Sequence, residues 1–194
     1  MQSPHSFIVE PLKGKRYDNT KKLGEVDFIV STSQEDHKFS NRFARVNSLP
    51  LNYCGPIKIN DLLLVHHNVF KIYYDMKGHE KSGKSYFKDN LFLIDNDQFF
   101  LYKSDDKWYA HDKYCFVEPV KSKDYYLDKV VKYEPLIGKI KYPNQELINH
   151  GVKVGDEVAF QPDSEYEFTV DGVLLYRIMS KFITVKLWAI KMLN

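Results

Sequence analysis

Short runs of alternating hydrophobic and polar residues fill most of this chain, and turn-forming residues separate them. Successive side chains of a β-strand point to opposite faces, so a period of two is typical of strands in a half-buried sheet. No segment carries a helical stripe of hydrophobic residues over about ten positions. The pattern predicts an all-β protein with strands at residues 7–9, 42–46, 59–66, 91–94, 99–102, 108–111, 115–117, 138–142, 157–160, 166–170, 173–178 and 182–187.

Two pairs of these strands are predicted to form hairpins. Residues 166–170 and 173–178 flank Asp171-Gly172, which is a two-residue turn signal. Residues 91–94 and 99–102 flank a short polar segment and are expected to pair with each other.

Three segments of the chain recur in the same order, which indicates an internal duplication. Residues 7–17 (FIVEPLKGKRY) recur at 115–125 (CFVEPVKSKDY) with six of eleven positions identical. Residues 57–64 (IKINDLLL) recur at 152–159 (VKVGDEVA). In the third match, residues 94–96 and 99–102 correspond to 170–172 and 173–176. The sequence predicts two small β-barrels of five to seven strands each, residues 1–112 and 113–194.

The spacing between the two copies predicts where the first copy carries extra residues. The offset falls from 108 to 95 and then to 74–76 along the three matches. The second copy therefore lacks 13 residues after its first segment and roughly twenty after its second. Insertions are tolerated in surface loops, so both are expected to be long loops of the first copy.

The first insertion contains a hydrophobic triplet, Phe28-Ile29-Val30, inside the mostly polar stretch 21–46. Three apolar residues can be half of a short strand, or an anchor that a loop presents to a partner. Because the second copy keeps the strands but drops this stretch, the fold does not require it. A binding partner explains the triplet better than the core does.

The order of segments in the second copy resembles a known family. Residues 151–158 (GVKVGDEV) lead to 170–172 (VDG), then to Leu174-Leu175 and 183–185 (ITV). This order resembles the second half of GroES-type co-chaperonins, and the Val-Glu-Pro segments resemble the first strand of that family. The resemblance spans nearly all of the chain, taken twice. It implies two tandem GroES-like small β-barrels, the first with a long mobile loop.

The resemblance also implies a role for the triplet. In the family, a hydrophobic triplet on a long loop binds the chaperonin, and here Phe28, Ile29 and Val30 hold its place. Eleven residues, 31–41, separate the triplet from the next predicted strand, as in the family. The second copy has only residues 127–135 in this region, with Val130-Val131 as its apolar pair, and is expected to lack a working loop.

The implied function is that of a lid and not of an enzyme. A homo-oligomeric ring, heptameric in the family, would cap a GroEL-type chaperonin in the cytoplasm and assist the ATP-dependent folding of an unfolded client. The ATP chemistry would belong to the chaperonin, so no cofactor is expected. The family's roof hairpin has no room in residues 47–56 or 143–151, a feature shared with phage co-chaperonins. A phage-encoded form with a capsid protein as client is therefore implied.

The composition of the chain argues against several other classes of protein. With 28 basic and 26 acidic residues, the net charge of +2 gives no electrostatic case for nucleic acid. No apolar run reaches the ~18 residues of a membrane span, and the N-terminus lacks the pattern of a secretory signal. Cys54 and Cys115 are expected to be buried thiols in a reducing compartment.

Other functions remain open at this stage. Residues 78–85 (GHEKSGKS) match a phosphate-binding loop, but that loop needs a helix after it and a strand-like segment follows. His66, His67 and His79 could suggest a metal, yet adjacent residues of a strand point to opposite faces. The main alternative to the co-chaperonin is a virion structural or decoration protein that uses the same barrel for assembly.

Overall fold

The computed structural model of the chain describes residues 1–17, 20–23, 26–29, 40–122 and 132–187. It divides into two compact units, Met1–Lys107 and Trp108–Asn194. The division falls a few residues before the expected boundary at 112–113, within a short strand. No helix among the described residues is long and apolar enough to cross a membrane.

The chain is mostly β-strand, as the alternating pattern predicts. The strands that begin in the first unit are β1 (Phe7–Pro11), β2 (Thr20–Leu23), β3 (Val26–Ile29), β4 (Phe43–Ser48), β5 (Leu62–Val65), β6 (Ile72–Tyr74), β7 (Glu80–Ser82), β8 (Tyr86–Lys88), β9 (Leu91–Ile94), β10 (Phe99–Ser104) and β11 (Lys107–Ala110). Those of the second unit are β12 (Tyr114–Lys121), β13 (Tyr133–Tyr142), β14 (Glu157–Phe160), β15 (Tyr166–Val170), β16 (Val173–Met179) and β17 (Ile183–Leu187). A short helix, α1, spans Gln145–Asn149.

The two large sheets have the same topology. Their orders are β10-β5-β4-β1-β9-β8 with β11 added beside β10, and β17-β14-β13-β12-β16-β15. Both sheets carry a register shift at the same place, between Ile8 and Val9 in one and between Phe116 and Val117 in the other. Equivalent strands with equivalent irregularities confirm the duplication. Among the described residues no ladder joins the edge strands of either sheet, so barrel closure stays a prediction.

The match between 57–64 and 152–159 holds down to individual hydrogen bonds. The Asp61 carboxylate accepts from the amide of Lys58 at 2.8 Å, and Asp156 accepts from the amide of Lys153 at 2.7 Å. In each copy the residue before this aspartate has a positive φ: 74° at Asn60 and 90° at Gly155. Such a turn needs asparagine or glycine at that position, because other side chains are strained there.

The third sequence match was wrong, and so was one predicted hairpin. β9 does not pair with β10; it lies between β1 and β8, while β10 pairs with β5. The counterpart of the β15–β16 hairpin is therefore β8–β9, whose turn residues Asp89 and Asn90 both have positive φ, like Asp171 and Gly172. The true counterpart of β9 and β10 is the pair β16 and β17.

Each unit has its own core, built from equivalent positions. In the first unit Val9, Val46, Leu63 and Ile94 are almost fully buried. Their second-unit counterparts are also buried: Val117, Ile140, Val158 and Ile178. The inward face of each sheet is thus set by the same alternating pattern, taken twice.

Candidate functional site

The first insertion leaves the large sheet at a firmly built base. Tyr17 and Ser40 form an isolated antiparallel bridge, and the amide of Asn41 donates to the carbonyl of Arg16 at 2.9 Å. The two ends of the 22-residue segment 18–39 are therefore held side by side.

Asn41 ties this base to the preceding turn. Its side-chain amide donates to the carbonyls of Leu12 at 2.9 Å and Lys15 at 2.8 Å. Its side-chain oxygen accepts from the amide of Phe43 at 2.9 Å. One asparagine thus satisfies three backbone groups at this base.

Two of the three predicted anchor residues lie in a separate two-stranded ribbon. β2 pairs with β3 from Thr20 opposite Ile29 to Leu23 opposite Val26, with Phe28 opposite Lys21. This ribbon joins neither large sheet. Phe28 and Ile29 belong to β3, whereas Val30 lies outside the described residues. Phe28 and Ile29 are therefore in a strand that neither large sheet includes, and their role as an anchor stays a prediction.

The second copy has a much shorter segment at the equivalent place. β12 and β13 stay paired to Lys121 opposite Tyr133, and the amide of Ser122 donates to the carbonyl of Lys132 at 2.9 Å. Residues 123–131 separate these partners, and they include Val130 and Val131, which lie outside the described residues.

The second insertion, residues 66–85, forms a hairpin from β6 and β7. In the second copy only residues 161–165 join the equivalent strands β14 and β15. The sequence correctly placed this insertion, although it predicted a larger difference in length.

Arg16 joins the base of the first insertion to the second. Its guanidinium donates to the carbonyls of Phe70 and Lys71, each at 3.0 Å, and to the hydroxyl of Ser82 at 3.1 Å. It also lies over the ring of Phe92, 5.1 Å from the centroid. Burial lowers the pKa of Arg16 from its usual value.

Two further bonds connect the insertions. The amide of Ile72 donates to the hydroxyl of Tyr17 at 2.8 Å, and the hydroxyl of Ser40 donates to the carbonyl of His67 at 3.0 Å. Sequence reasoning missed Arg16, Ser40 and Asn41. A signal was present for Arg16, because the duplication aligns it with Asp124, a residue of opposite charge.

The glycine-rich motif at 78–85 does not form a phosphate-binding loop. Its first half is the turn and second strand of the β6–β7 hairpin, and β8 follows directly where a helix would be needed. Ser85, which would face a phosphate-bound metal, is buried and accepts from the side-chain amide of Gln98 at 3.2 Å. The geometry therefore argues against nucleotide binding here.

The histidines and cysteines differ in part from expectation. The rings of His66 and His67 lie side by side with centroids 4.1 Å apart, not on opposite faces, since they follow the end of β5. His79 pairs instead with Asp75 at 3.3 Å. Cys54 is exposed, so only the prediction of a buried Cys115 was correct. Within the described part of the chain, no three His, Cys, Asp or Glu residues group around a possible metal position.

One pocket of about 270 Å³ lies beside α1 in the second unit. Three of its polar side chains are engaged in structural bonds. The hydroxyl of Ser180 donates to Glu146, and Lys186 pairs with Asp156 at 2.6 Å.

Comparison with known proteins adds no relative. No protein-family model matches the chain, and no curated protein matches it significantly.

Proposed function

We propose that this chain is a GroES-type co-chaperonin that binds a GroEL-type chaperonin through the β2–β3 hairpin. The placement of that hairpin carries the proposal. It belongs to neither large sheet, and its base is fixed by Asn41 and Arg16. The second copy forms the same sheet topology without this hairpin. A segment that the fold does not need, and that starts and ends at one fixed base, is best explained by a partner.

Phe28, Ile29 and Val30 are the anchor in this proposal. Burying one such side chain contributes roughly 1.5–3 kcal/mol, while association itself costs several kcal/mol. A single hairpin therefore binds weakly. A ring presents several hairpins at once, and avidity restores the affinity while leaving each contact easy to release. Release then follows when the nucleotide state of the chaperonin changes.

The remaining elements of the proposal follow from the resemblance. Each copy is a GroES-like small barrel, and the chains assemble into a homo-oligomeric ring, a heptamer by family analogy. The ring works in the cytoplasm of a host cell and encloses an unfolded client, a phage capsid protein. The chaperonin supplies the ATP chemistry, and this chain is not an enzyme.

The test is binding of the purified chain to a GroEL-type chaperonin with ATP, measured by native mass spectrometry, which also gives the copy number. Ile29→Asp places a charge in the anchor and should abolish the complex. Val130→Asp makes the same change in the shorter segment of the second copy and should leave it intact. Circular dichroism would verify that both variants keep the β-sheet signal.

Undiminished ATP-dependent binding of Ile29→Asp would remove the anchor assignment. Failure of the unaltered chain to bind any GroEL-type chaperonin would remove the proposed function itself. Recovery of the chain as a stoichiometric component of purified virus particles would instead favour the structural or decoration role.

A further inference from the structure

The tip of the β6–β7 hairpin is a rigid turn. The carboxylate of Asp75 accepts from the amides of Lys77 and His79, each at 2.9 Å, and its second oxygen lies 3.3 Å from the ring of His79. Two backbone bonds close the same turn, from the amide of Asp75 to His79 and from that of Gly78 to Asp75. The amide of His79, followed by the amide of Lys77 and the ring of His79, holds the pKa of the Asp75 carboxylate below its usual value.

This turn presents a fully exposed methionine. Met76 has a relative exposure of 106%, against 66% for Val154 in the second unit. Tyr73, on the adjoining strand, is 45% exposed. A scattered exposed side chain needs no explanation, but a flexible apolar residue on a fixed tip is well suited to enter a partner's pocket.

The hairpin and the base of the β2–β3 insertion form one structural block. Arg16, Tyr17 and Ser40 make five hydrogen bonds to residues 67–82, as described above. Both insertions occur in the first copy only. A partner that grips the β2–β3 hairpin therefore meets a neighbouring element whose position is fixed relative to the base of that hairpin.

The charge of the β6–β7 hairpin and of β8 indicates the chemistry of the partner surface. Residues 71–88 contain five lysines and two acidic residues, and one of the acids, Asp75, is engaged by His79. The excess of positive charge in this short segment exceeds the net +2 of the whole chain. Lys77 lies beside Met76, and exposed lysines also follow along the hairpin and β8, so a partner surface that carries carboxylates is favoured.

We propose that Met76 is a second docking residue, which enters an apolar, carboxylate-bordered pocket on the same protein partner that receives Phe28 and Ile29. This inference rests on the proposed co-chaperonin function. The two contacts act together, because the block formed by Arg16, Tyr17 and Ser40 keeps the two hairpin bases at a fixed spacing. Pairing of two weak contacts on one rigid support raises affinity by effective concentration.

The test uses the full chain and a purified GroEL-type chaperonin with ATP, with affinity measured by biolayer interferometry. Met76→Asp should weaken binding at least tenfold, since it replaces a buried apolar contact by a charge facing carboxylates. Met76→Leu keeps the apolar contact and should bind within about twofold of the unaltered chain. Val154→Asp, at an exposed apolar position of the second copy, is the control and should bind normally.

The outcomes separate this inference from the function on which it rests. If Ile29→Asp loses binding and Met76→Asp binds like Val154→Asp, the second docking residue is wrong and the co-chaperonin proposal stands. If the unaltered chain does not bind, both are overturned. Loss in Met76→Asp together with rescue in Met76→Leu supports the inference. Titration with NaCl adds a check: affinity should fall with salt in the unaltered chain.

Discussion

Arg16 offers the sharpest test of how the two insertions are held. Its guanidinium donates hydrogen bonds to three acceptors: the carbonyls of Phe70 and Lys71, and the hydroxyl of Ser82. Arg16→Lys keeps the charge and most of the stem, but an ammonium group cannot reproduce this planar fork. Arg16→Ala removes the charge, the bonds and the ring contact together.

The expected cost follows from these contacts. A hydrogen bond that replaces water contributes on the order of 1 kcal/mol, so three half-buried bonds contribute about 3 kcal/mol. The stacking on Phe92 adds roughly 0.5–1 kcal/mol. Arg16→Ala should therefore destabilise the block by about 3–4 kcal/mol. Lysine satisfies one acceptor and keeps the packing of the stem, so Arg16→Lys should cost about 2 kcal/mol.

Hydrogen exchange detects this loss at specific amides. The amide of Ile72 donates to Tyr17, and that of Gly83 donates to the carbonyl of Lys71. Both should exchange about 150- to 700-fold faster in Arg16→Ala when local opening controls exchange, as a loss of about 3–4 kcal/mol implies. Peptides from β12 and β16 lie in the second unit and should be unchanged, which makes them an internal control.

Equal exchange in Arg16→Lys and the unaltered chain would refute the importance of the planar guanidinium, and the positive charge alone would then account for the stabilisation. Equal exchange in Arg16→Ala would refute the structural block itself. In that case the two insertions would be independent, and the cooperation between their docking residues would lose its basis.

Two further predictions concern the second unit. A Cβ on Gly138 would approach the side chain of Val117 to 2.5 Å, although Ala44 occupies the equivalent position of the first copy. Gly138→Ala should therefore lower the free energy of unfolding of the second unit by about 1–3 kcal/mol, measured by urea unfolding. An unchanged urea midpoint would contradict this packing. Burial raises the pKa of Cys115 from 9.0 to about 12, so the native chain should react with a thiol reagent at Cys54 only. The free energy of unfolding should fall as pH rises above 9, because only the thiol of the unfolded chain ionises there. Two reactive thiols per native chain would show the prediction to be wrong.

The sequence predicted the fold best where a segment carries a distinctive local feature. The turn that ends in Asp61 or Asp156 is one example: the carboxylate bonds a nearby amide in both copies, so the same residues produce the same turn. The Asp171-Gly172 hairpin is another, because two positive φ values select few residue types.

Prediction failed where local patterns look alike. Residues 94–102 and 170–176 both show an aspartate turn followed by an apolar run, so the sequence matched them. Their positions in the sheets differ, since one lies between β9 and β10 and the other between β15 and β16. Which strand pairs with β1 or β12 is a long-range choice, decided by how the whole sheet buries its inner face.

For the candidate site, too, the sequence predicted some features and only the structure showed others. The sequence by itself determined that the first copy carries two extra segments and that Phe28, Ile29 and Val30 lie in one of them. Insertions can be located in this chain because its two copies can be aligned with each other. Only the tertiary structure decided that β3 belongs to a separate ribbon, and that Arg16, Tyr17 and Ser40 bind the two insertions into one block. Those bonds join residues more than 25 positions apart in the chain, and no local pattern of hydrophobic and polar residues encodes such pairings.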